Sequence, residues 1–143
     1  MVNEVLDRPS ILVYVENEQE SLFKEILAGI EEEGIPYDLI KKPIEKKNFV
    51  EKIYSLCHKS RMGIAVGVQE STVVLHYNKL KEDKPLLDIK LNFYEKGKAR
   101  KIGSNAARLY KAMPFKDVNE SNEADVELIE KISAAVMDIL KNR

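Results

Sequence analysis

The sequence predicts a layered α/β fold around a mixed, mainly parallel sheet. Short apolar runs rich in β-branched residues alternate with longer segments whose apolar residues recur every three or four positions. Two consecutive apolar runs lie about three residues apart, so their strands must be antiparallel neighbours and the sheet must be mixed. The length of 143 residues is that of one domain, and the chain shows neither a repeat nor a linker. We therefore expect a single domain over residues 1–143, with four to five strands.

The first half of the chain predicts a strand, a helix, a second strand and a second helix. Ser10–Val15 and Tyr37–Ile40 are short runs typical of strands. The segment between them predicts a helix, because it has an apolar stripe and is followed by Gly34 and Pro36, which end helices. The second helix begins at Asn48, a residue type that caps helix N-termini. The stripes of the two helices are Leu22, Phe23, Ile26, Leu27 and Ile30, then Phe49, Val50, Ile53, Leu56 and Cys57.

The second half predicts a hairpin, a further strand and two helices. Met62–Val68 and Thr72–Tyr77 form the hairpin, and Leu86–Leu91 follows a polar turn as another strand. A helix is expected over Lys98–Ala112, where Pro114 prevents its continuation. The last helix is expected at about Asp125–Leu140. Its stripe consists of Leu128, Ile129, Ile132, Val136, Ile139 and Leu140.

Charge and composition argue against several classes of protein. The chain carries 23 Lys and Arg against 24 Asp and Glu, and a net charge of -1 argues against a strongly basic nucleic-acid surface. The single cysteine excludes an internal disulfide framework and a cysteine-based zinc site. No apolar run reaches the roughly 18 residues of a membrane span, and the N-terminus lacks the pattern of a secretion signal. We expect a cytoplasmic protein that contacts neither membrane nor nucleic acid.

The sequence predicts no catalytic residue. It contains neither a phosphate-binding P-loop nor a dinucleotide-binding glycine motif after the first strand. No nucleophile and carboxylate are arranged around His58 or His76, so structural or surface roles are expected for both. Cys57 lies on an apolar helix face and is expected to be a small buried residue, and Gly63 and Gly67 are expected to allow close packing of the backbone.

The most informative local feature is a run of three carboxylates, Glu31, Glu32 and Glu33, in the last turn of the first helix. Carboxylates are unfavourable there, because the C-terminal end of a helix already carries partial negative charge. One explanation is a solvated face whose charge is screened by salt and by nearby lysines. The other is a cation site, either for Mg²⁺ or for a basic partner surface. A single glutamate cannot surround a metal ion, so such an ion would need ligands from another chain.

A second feature is the small-residue segment Gly103–Leu109 within the predicted third helix. Gly103 lowers helix propensity by about 1 kcal/mol relative to alanine, but it allows another backbone to approach. Asn105 can both donate and accept a hydrogen bond at such a contact, and Arg108 lies one turn from Ser104. A tight internal helix–sheet contact and an interface with another chain explain the segment equally well. The basic residues near it are expected to form a solvated face; these are Lys96, Lys98, Arg100, Lys101, Arg108 and Lys111.

Several segments, in their order along the chain, resemble the small subunit of the reactivating factor for adenosylcobalamin-dependent diol and glycerol dehydratases. The Glu-rich segment and the Asn-Ala-Ala-Arg-Leu helix carry most of this resemblance, which spans about Ile11 to Val118. The matching segments are Leu27–Pro36, Ser60–Ala65, Val74–Tyr77 with Leu80, Pro85–Leu86, Gly103–Leu109 and Met113–Phe115. Residues 1–9 then form a lead-in, 10–118 a family-like core and 123–141 an extra helix beyond the shorter, polar C-terminus of the family.

The resemblance implies a three-layer α/β/α domain, similar to the anticodon-binding-domain-like fold and to the medium subunit of the dehydratase. It also implies a chaperone-like function. In the family, a large ATPase subunit pairs with the small subunit, and the complex docks on a dehydratase whose cobalamin is damaged. The small subunit is displaced so that the large one can bind the medium subunit, and the damaged cobalamin leaves. ATP or ADP would then belong to the partner, and cobalamin to the dehydratase.

The resemblance also implies site residues. Glu32 matches the family carboxylate that reaches a Mg²⁺ ion at the interface with the large subunit, and Glu31, Glu33, Asn105 and Arg108 are predicted interface residues. The isolated chain is expected to expose an apolar patch and to form weak homodimers. The expected location is the cytoplasm, either free or associated with a bacterial microcompartment. The alternative function is an RNA-binding module of anticodon-binding-like fold, and an independent enzyme is the third possibility. A dehydratase medium subunit, or a fragment of one, is a further alternative that the short length and the absence of a longer cofactor-contacting region disfavour.

Overall fold

The structure, a computed structural model, describes residues 8–16, 21–43 and 45–119. They form five strands and three α-helices, and a short 3₁₀ turn at Lys46–Asn48 precedes the second helix. The predicted helix at Asp125–Leu140 lies outside the described residues. In chain order the elements are β1 (Ile11–Val15), α1 (Ser21–Glu32), β2 (Tyr37–Lys41), α2 (Phe49–Cys57), β3 (Ile64–Gln69), β4 (Thr72–Tyr77), β5 (Leu87–Lys90) and α3 (Lys96–Lys111).

All five strands form one mixed sheet in the order β2-β1-β3-β4-β5. Strand β1 pairs in parallel with β2 and β3, whereas β4 is antiparallel to both β3 and β5. The α/β class is confirmed, but the sheet is half rather than mainly parallel. The reason is the length of the connections, since a parallel crossover needs about a dozen residues or more and the segments joining β3, β4 and β5 are shorter.

The sheet is covered on both faces, which is the three-layer arrangement that the resemblance implies. Helices α1 and α3 cover one face together with the larger buried cluster, whose members include Val13, Ile26 and Ile102. Helix α2 covers the other face, where Tyr14 and Ile53 belong to a smaller cluster. Strands β1 and β3 are buried along their whole length because they contribute side chains to both clusters.

Helices α1 and α3 touch backbone to backbone through two glycines. A Cβ atom on Gly103 would lie 2.0 Å from the carbonyl oxygen of Ile26, and one on Gly29 would lie 2.0 Å from that of Arg100. The Ser104 hydroxyl donates a 3.3 Å hydrogen bond to the carbonyl oxygen of Gly29 across the same contact. The small-residue segment therefore forms an internal contact, and this contact joins two helices rather than a helix and the sheet.

The face under α2 depends on a different glycine. A Cβ atom on Gly67 of β3 would lie 2.2 Å from Cδ1 of Ile53 and 2.9 Å from Cζ of Phe49, so the close packing predicted for Gly67 is confirmed. Cys57 is buried here as expected, and burial raises the pKa of its thiol to about 12. His76 is fully buried on the same face.

The start of α2 differs in one detail from the prediction. Asn48 occupies the N-cap position, but its side chain makes no capping hydrogen bond. The preceding 3₁₀ turn sets the backbone of Asn48 at φ -118° and ψ 28°, outside the extended region in which a capping side chain normally reaches back to the helix. Among the helices that the structure describes, none is long and apolar enough to cross a membrane.

Candidate functional site

The three consecutive glutamates lie where α1 ends and the chain turns towards β2. Gly34 adopts a left-handed conformation with φ of 75°, as its predicted role after the helix requires. The N–H of Gly34 donates to the carbonyl of Glu31 at 2.9 Å, and that of Ile35 donates to the carbonyl of Ile30 at 3.4 Å. These two bonds form a Schellman motif, which satisfies carbonyls that the helix leaves unpaired. The turn therefore directs three neighbouring carboxylates into three different environments.

Glu33 is the carboxylate that faces inward. Its side chain is only 9% exposed, and it accepts hydrogen bonds from Arg108 Nε at 3.0 Å and from Lys111 Nζ at 2.9 Å. Lys111 also donates to the backbone carbonyl of Glu33 at 2.9 Å. The hydrogen bond from Lys111, reinforced by Arg108, holds the pKa of Glu33 below its usual value. These two ion pairs connect the C-terminal end of α1 to the C-terminal end of α3.

Glu32, the residue before Glu33, faces outward. Its side chain is 47% exposed, and its Oε1 lies 3.4 Å from Arg100 Nε. Arg100 is shared, since its Nη2 also lies 3.2 Å from Oε1 of Glu25. Exposed ion pairs of this kind contribute about 0–1 kcal/mol, so Glu32 could exchange this contact for a stronger one at little cost. Its carboxylate is accessible to a cation from solvent or from a partner.

Glu31 has a third environment. It is exposed, and Tyr37 donates its hydroxyl hydrogen to Glu31 Oε1 at 3.0 Å. Burial of the ring, together with this bond to an anion, raises the pKa of Tyr37, so its hydroxyl remains a donor at neutral pH. Glu31 is thereby oriented by β2 rather than by α3.

Asn105 is nearly buried in α3 and holds the segment that follows this helix. Its side-chain N–H donates to the carbonyl of Lys116 at 2.8 Å, and its side-chain oxygen accepts from the N–H of Lys116 at 2.7 Å. The ammonium of Lys116 lies 3.9 Å from Glu33 and 3.4 Å from the Ser104 hydroxyl. Asn105 and Arg108 therefore belong to one network with Glu33, and within this chain the network is structural. Whether these three residues also contact a partner stays a prediction.

The arrangement can bind a cation only in part. Within residues 8–16, 21–43 and 45–119, no three His, Cys, Asp or Glu side chains converge in a way that could hold a metal ion. Glu32 could supply one oxygen ligand to Mg²⁺, an ion that commonly takes one or two carboxylates and fills its other positions with water or phosphate oxygens. A complete site would need further ligands from another molecule.

The two histidines are placed apart from this network. The backbone N–H of Tyr77 donates to Nδ1 of His76 at 2.9 Å, so the proton is assigned to Nε2, which lies 3.0 Å from the carbonyl oxygen of Glu82. His58 is exposed and packs edge-on against Tyr54, with ring centroids 4.8 Å apart. Both positions agree with the structural and surface roles expected from the sequence.

Two residues of the site were not predicted. Arg100, which contacts Glu32 and Glu25, was assigned to a solvated basic face, and Lys116, which approaches Glu33, was not singled out. Alternating glutamates and cations along two helices are the only signal in the sequence. That signal does not reveal which pairs meet, because the helix crossing decides it.

Comparison with known proteins identifies the family to which most of the chain is similar. Residues 8–116 match the family described as dehydratase medium subunit. The propanediol dehydratase-reactivating factor small subunit of Salmonella typhimurium is 33% identical over 111 residues, which are 78% of this chain and 93% of that protein. The diol dehydratase-reactivating factor small subunit of Klebsiella michiganensis is 32% identical over 111 residues, which are 78% of this chain and 86% of that protein.

Two solved structures have the same fold. A diol dehydratase-reactivating factor complexed with ADP and Mg²⁺ superposes with a TM-score of 0.70 at 31% identity, covering 78% of this chain and all of the solved chain. A glycerol dehydratase reactivase superposes with a TM-score of 0.69 at 20% identity and the same coverage. The chain therefore belongs to the dehydratase medium subunit family and, within it, to the small subunits of the diol and propanediol dehydratase-reactivating factors.

Proposed function

We propose that this chain is the non-catalytic partner of a large ATPase subunit and that it is displaced when their complex docks on an inactivated dehydratase. The observation that carries the proposal is the match of residues 8–116 to a family described as dehydratase medium subunit. A small subunit with the fold of the medium subunit can occupy the surface of the large subunit that the medium subunit later takes. The exchange then releases damaged cobalamin without any chemistry on this chain, and it takes place in the cytoplasm, with or without a microcompartment.

The acidic end of α1 is the part of the chain that we assign to the large subunit. Glu32 is half exposed and has a weak internal ion pair, so it is the carboxylate best placed to reach a Mg²⁺ ion shared with that subunit. Glu31 is also exposed, whereas Glu33, Asn105 and Arg108 are engaged with their own chain. In the proposed interface, Glu33, Asn105 and Arg108 hold the end of α1 in place, which positions Glu31 and Glu32, and they lie at the edge of the contact with the large subunit. The related solved complex contains ADP and Mg²⁺, which supports a metal in such assemblies.

The alternative RNA-binding function receives less support from the same contacts. A nucleic-acid surface requires cations that can reach phosphates. Four members of the basic cluster instead lie within ion-pair distance of glutamates, namely Lys98, Arg100, Arg108 and Lys111.

Co-expression with the large reactivating-factor subunit of the same host, followed by native mass spectrometry with and without EDTA, tests the proposal. We expect a hetero-complex that loses affinity when Mg²⁺ is removed. A chain that remains free under both conditions would overturn the proposal, and RNA binding would then be measured as a function of salt concentration.

Glu32→Gln in the same complex tests the assignment of the metal ligand. We expect it to weaken the hetero-complex and to abolish the effect of EDTA, with a loss of about 2–5 kcal/mol as for other buried charged contacts. Glu25→Gln is the matched control, because Glu25 contacts the same Arg100. If both variants bind like the wild type and still respond to EDTA, Glu32 is not the ligand. If both weaken equally, the effect arises from Arg100.

A further inference from the structure

The structure contains an apolar groove on the α1–α3 side of the sheet, beyond α3. Its base is formed by Leu75 of β4, Leu87 of β5 and Ile102 of α3. The chain segment after α3 forms the opposite wall with Phe115 and Val118. The groove encloses about 230 Å³, and apolar cavities of about 150 Å³ already accommodate a benzene-sized group. It therefore has room for one or two aliphatic side chains.

The wall of this groove is held in place. Asn105 binds both the N–H and the carbonyl of Lys116, and Arg108 donates to the carbonyl of Pro114 at 3.0 Å. Two side chains of α3 thus fix the backbone on both sides of Phe115. Even so, 48% of Phe115 and 39% of Leu86, at the other rim of the groove, are exposed. A preformed, partly exposed apolar groove of this kind favours the binding of an apolar side-chain stripe.

The sequence supplies such a stripe at a short distance along the chain. The described part of the chain ends at Asn119, one residue after Val118 in the groove wall. Leu128 begins the stripe nine residues later, and nine residues span at most about 30 Å. A helix of about 16 residues is marginally stable in water unless its apolar face packs on other elements. The family match ends at residue 116, so the stripe lies outside it.

We propose that residues 125–140 of this chain bind the apolar groove through the stripe that begins at Leu128. In this arrangement the segment continues the helical layer beyond α3 and covers the exposed faces of Leu86 and Phe115. The stripe and the groove are present in one molecule, so the contact forms at any protein concentration. The other conceivable occupants of the groove are a second copy of the chain and a partner subunit. This proposal is independent of the proposed function.

Hydrogen–deuterium exchange of the full-length chain, read by mass spectrometry, tests the contact. We expect backbone amides within 125–140 to be protected, and Phe115→Asp to accelerate their exchange by about tenfold or more, because it places a charge against the stripe. Phe93→Asp is the matched control, since Phe93 is also an exposed phenylalanine, at 77%, but does not line the groove. We expect this control to leave 125–140 unchanged.

A reciprocal pair of variants keeps the test decisive if Phe115→Asp fails to fold. Ile132→Asp on the stripe should accelerate exchange at 86–89 and 113–118, whereas Ala134→Asp, on the opposite face of the predicted helix, should not. Exchange of 125–140 at the rate of an unstructured chain in the wild type would overturn the proposal, as would equal effects within either pair. Protection that disappears on dilution would also overturn it, because a second copy would then be the occupant.

Discussion

The two faces of the sheet each depend on glycine, but they use it for different contacts. Between α1 and α3, Gly29 and Gly103 allow two helix backbones to touch. Under α2, Gly67 opens a space in the sheet that the side chain of Ile53 fills. The first contact has ion pairs along its border, such as that of Glu33 with Arg108, whereas the second is surrounded by a compact apolar cluster.

The two faces therefore differ in what their packing decides. On the α2 face, the contacts consist mainly of buried apolar groups, whose contribution scales with the area removed from water. On the α1–α3 face, the same helix approach that packs the core also decides which carboxylates are neutralised internally and which remain at the surface. A change in the distance between these helices would therefore alter both stability and the proposed partner surface.

The largest expected effect is on the α2 face. Ile53→Ala removes a fully buried side chain that fills the space above Gly67, and we expect the free energy of unfolding to fall by about 2–5 kcal/mol in urea titrations. Val50→Ala, at a partly buried position of the same helix, should cost less. An Ile53→Ala loss below that of Val50→Ala would show that the space above Gly67 collapses without cost.

A smaller effect is expected at the helix contact. Gly103→Ala adds a Cβ atom 2.0 Å from the Ile26 carbonyl, and the strain should outweigh a helix-propensity gain of about 1 kcal/mol. We expect a net loss of about 2–3 kcal/mol of unfolding free energy. Gly97→Ala, at an exposed position of α3, should be neutral or slightly stabilising. If the two variants behave alike in thermal and urea unfolding, α1 and α3 do not touch as described.

The smallest effect distinguishes two adjacent carboxylates. At pH 7, Glu33→Gln should lower the free energy of unfolding by about 1.5 kcal/mol, since it removes a nearly buried partner of two cations. Glu32→Gln should change it by less than about 0.5 kcal/mol, because its ion pair is exposed.

The pH dependence of the free energy of unfolding tests the role of the Glu33 charge independently. The folded-state pKa of Glu33 lies below its ordinary value of 4.5, so its stabilisation is complete above that value and is lost as pH falls through the lowered pKa. Urea titrations of the wild type and Glu33→Gln should therefore converge below pH 4.5. A constant difference down to strongly acidic pH would show that the charge of Glu33 is not the cause.

Local patterns were sufficient to predict most elements of the fold. The apolar stripe of α1, the glycine at its end and the short hairpin between β3 and β4 are decided by residues close together in sequence. The sequence predicted more parallel strand pairs than the sheet contains. The antiparallel position of β5 beside β4 depends on the path of the polar segment that connects these two strands. The capping hydrogen bond expected of Asn48 is not formed, because Asn48 belongs to a 3₁₀ turn and lacks the extended backbone conformation of a capping residue.

The sequence drew attention to the glutamate segment, whose role as a site stays a prediction, but it did not show how the segment is organised internally. Three glutamates in sequence indicated an unfavourable charge cluster, and the structure shows a different partner for each of them. Arg100 and Arg108 lie about 70 residues from these partners in sequence, so their pairing depends on the register of two helices. Periodicity predicts which face of each helix is buried, but it does not predict the position along the two helix axes at which these faces pack together.

The sequence by itself determined the α/β class, the approximate positions of the helices and strands that the structure describes, and the family, because these depend on local propensity, periodicity and the order of motifs. Only the tertiary structure decided that Gly29 meets α3 and Gly103 meets α1, that Glu33 is neutralised and that Glu32 stays accessible. The physical reason is that helix separation is set by short-range repulsion between backbones. That separation then fixes which charges lie close enough to pair.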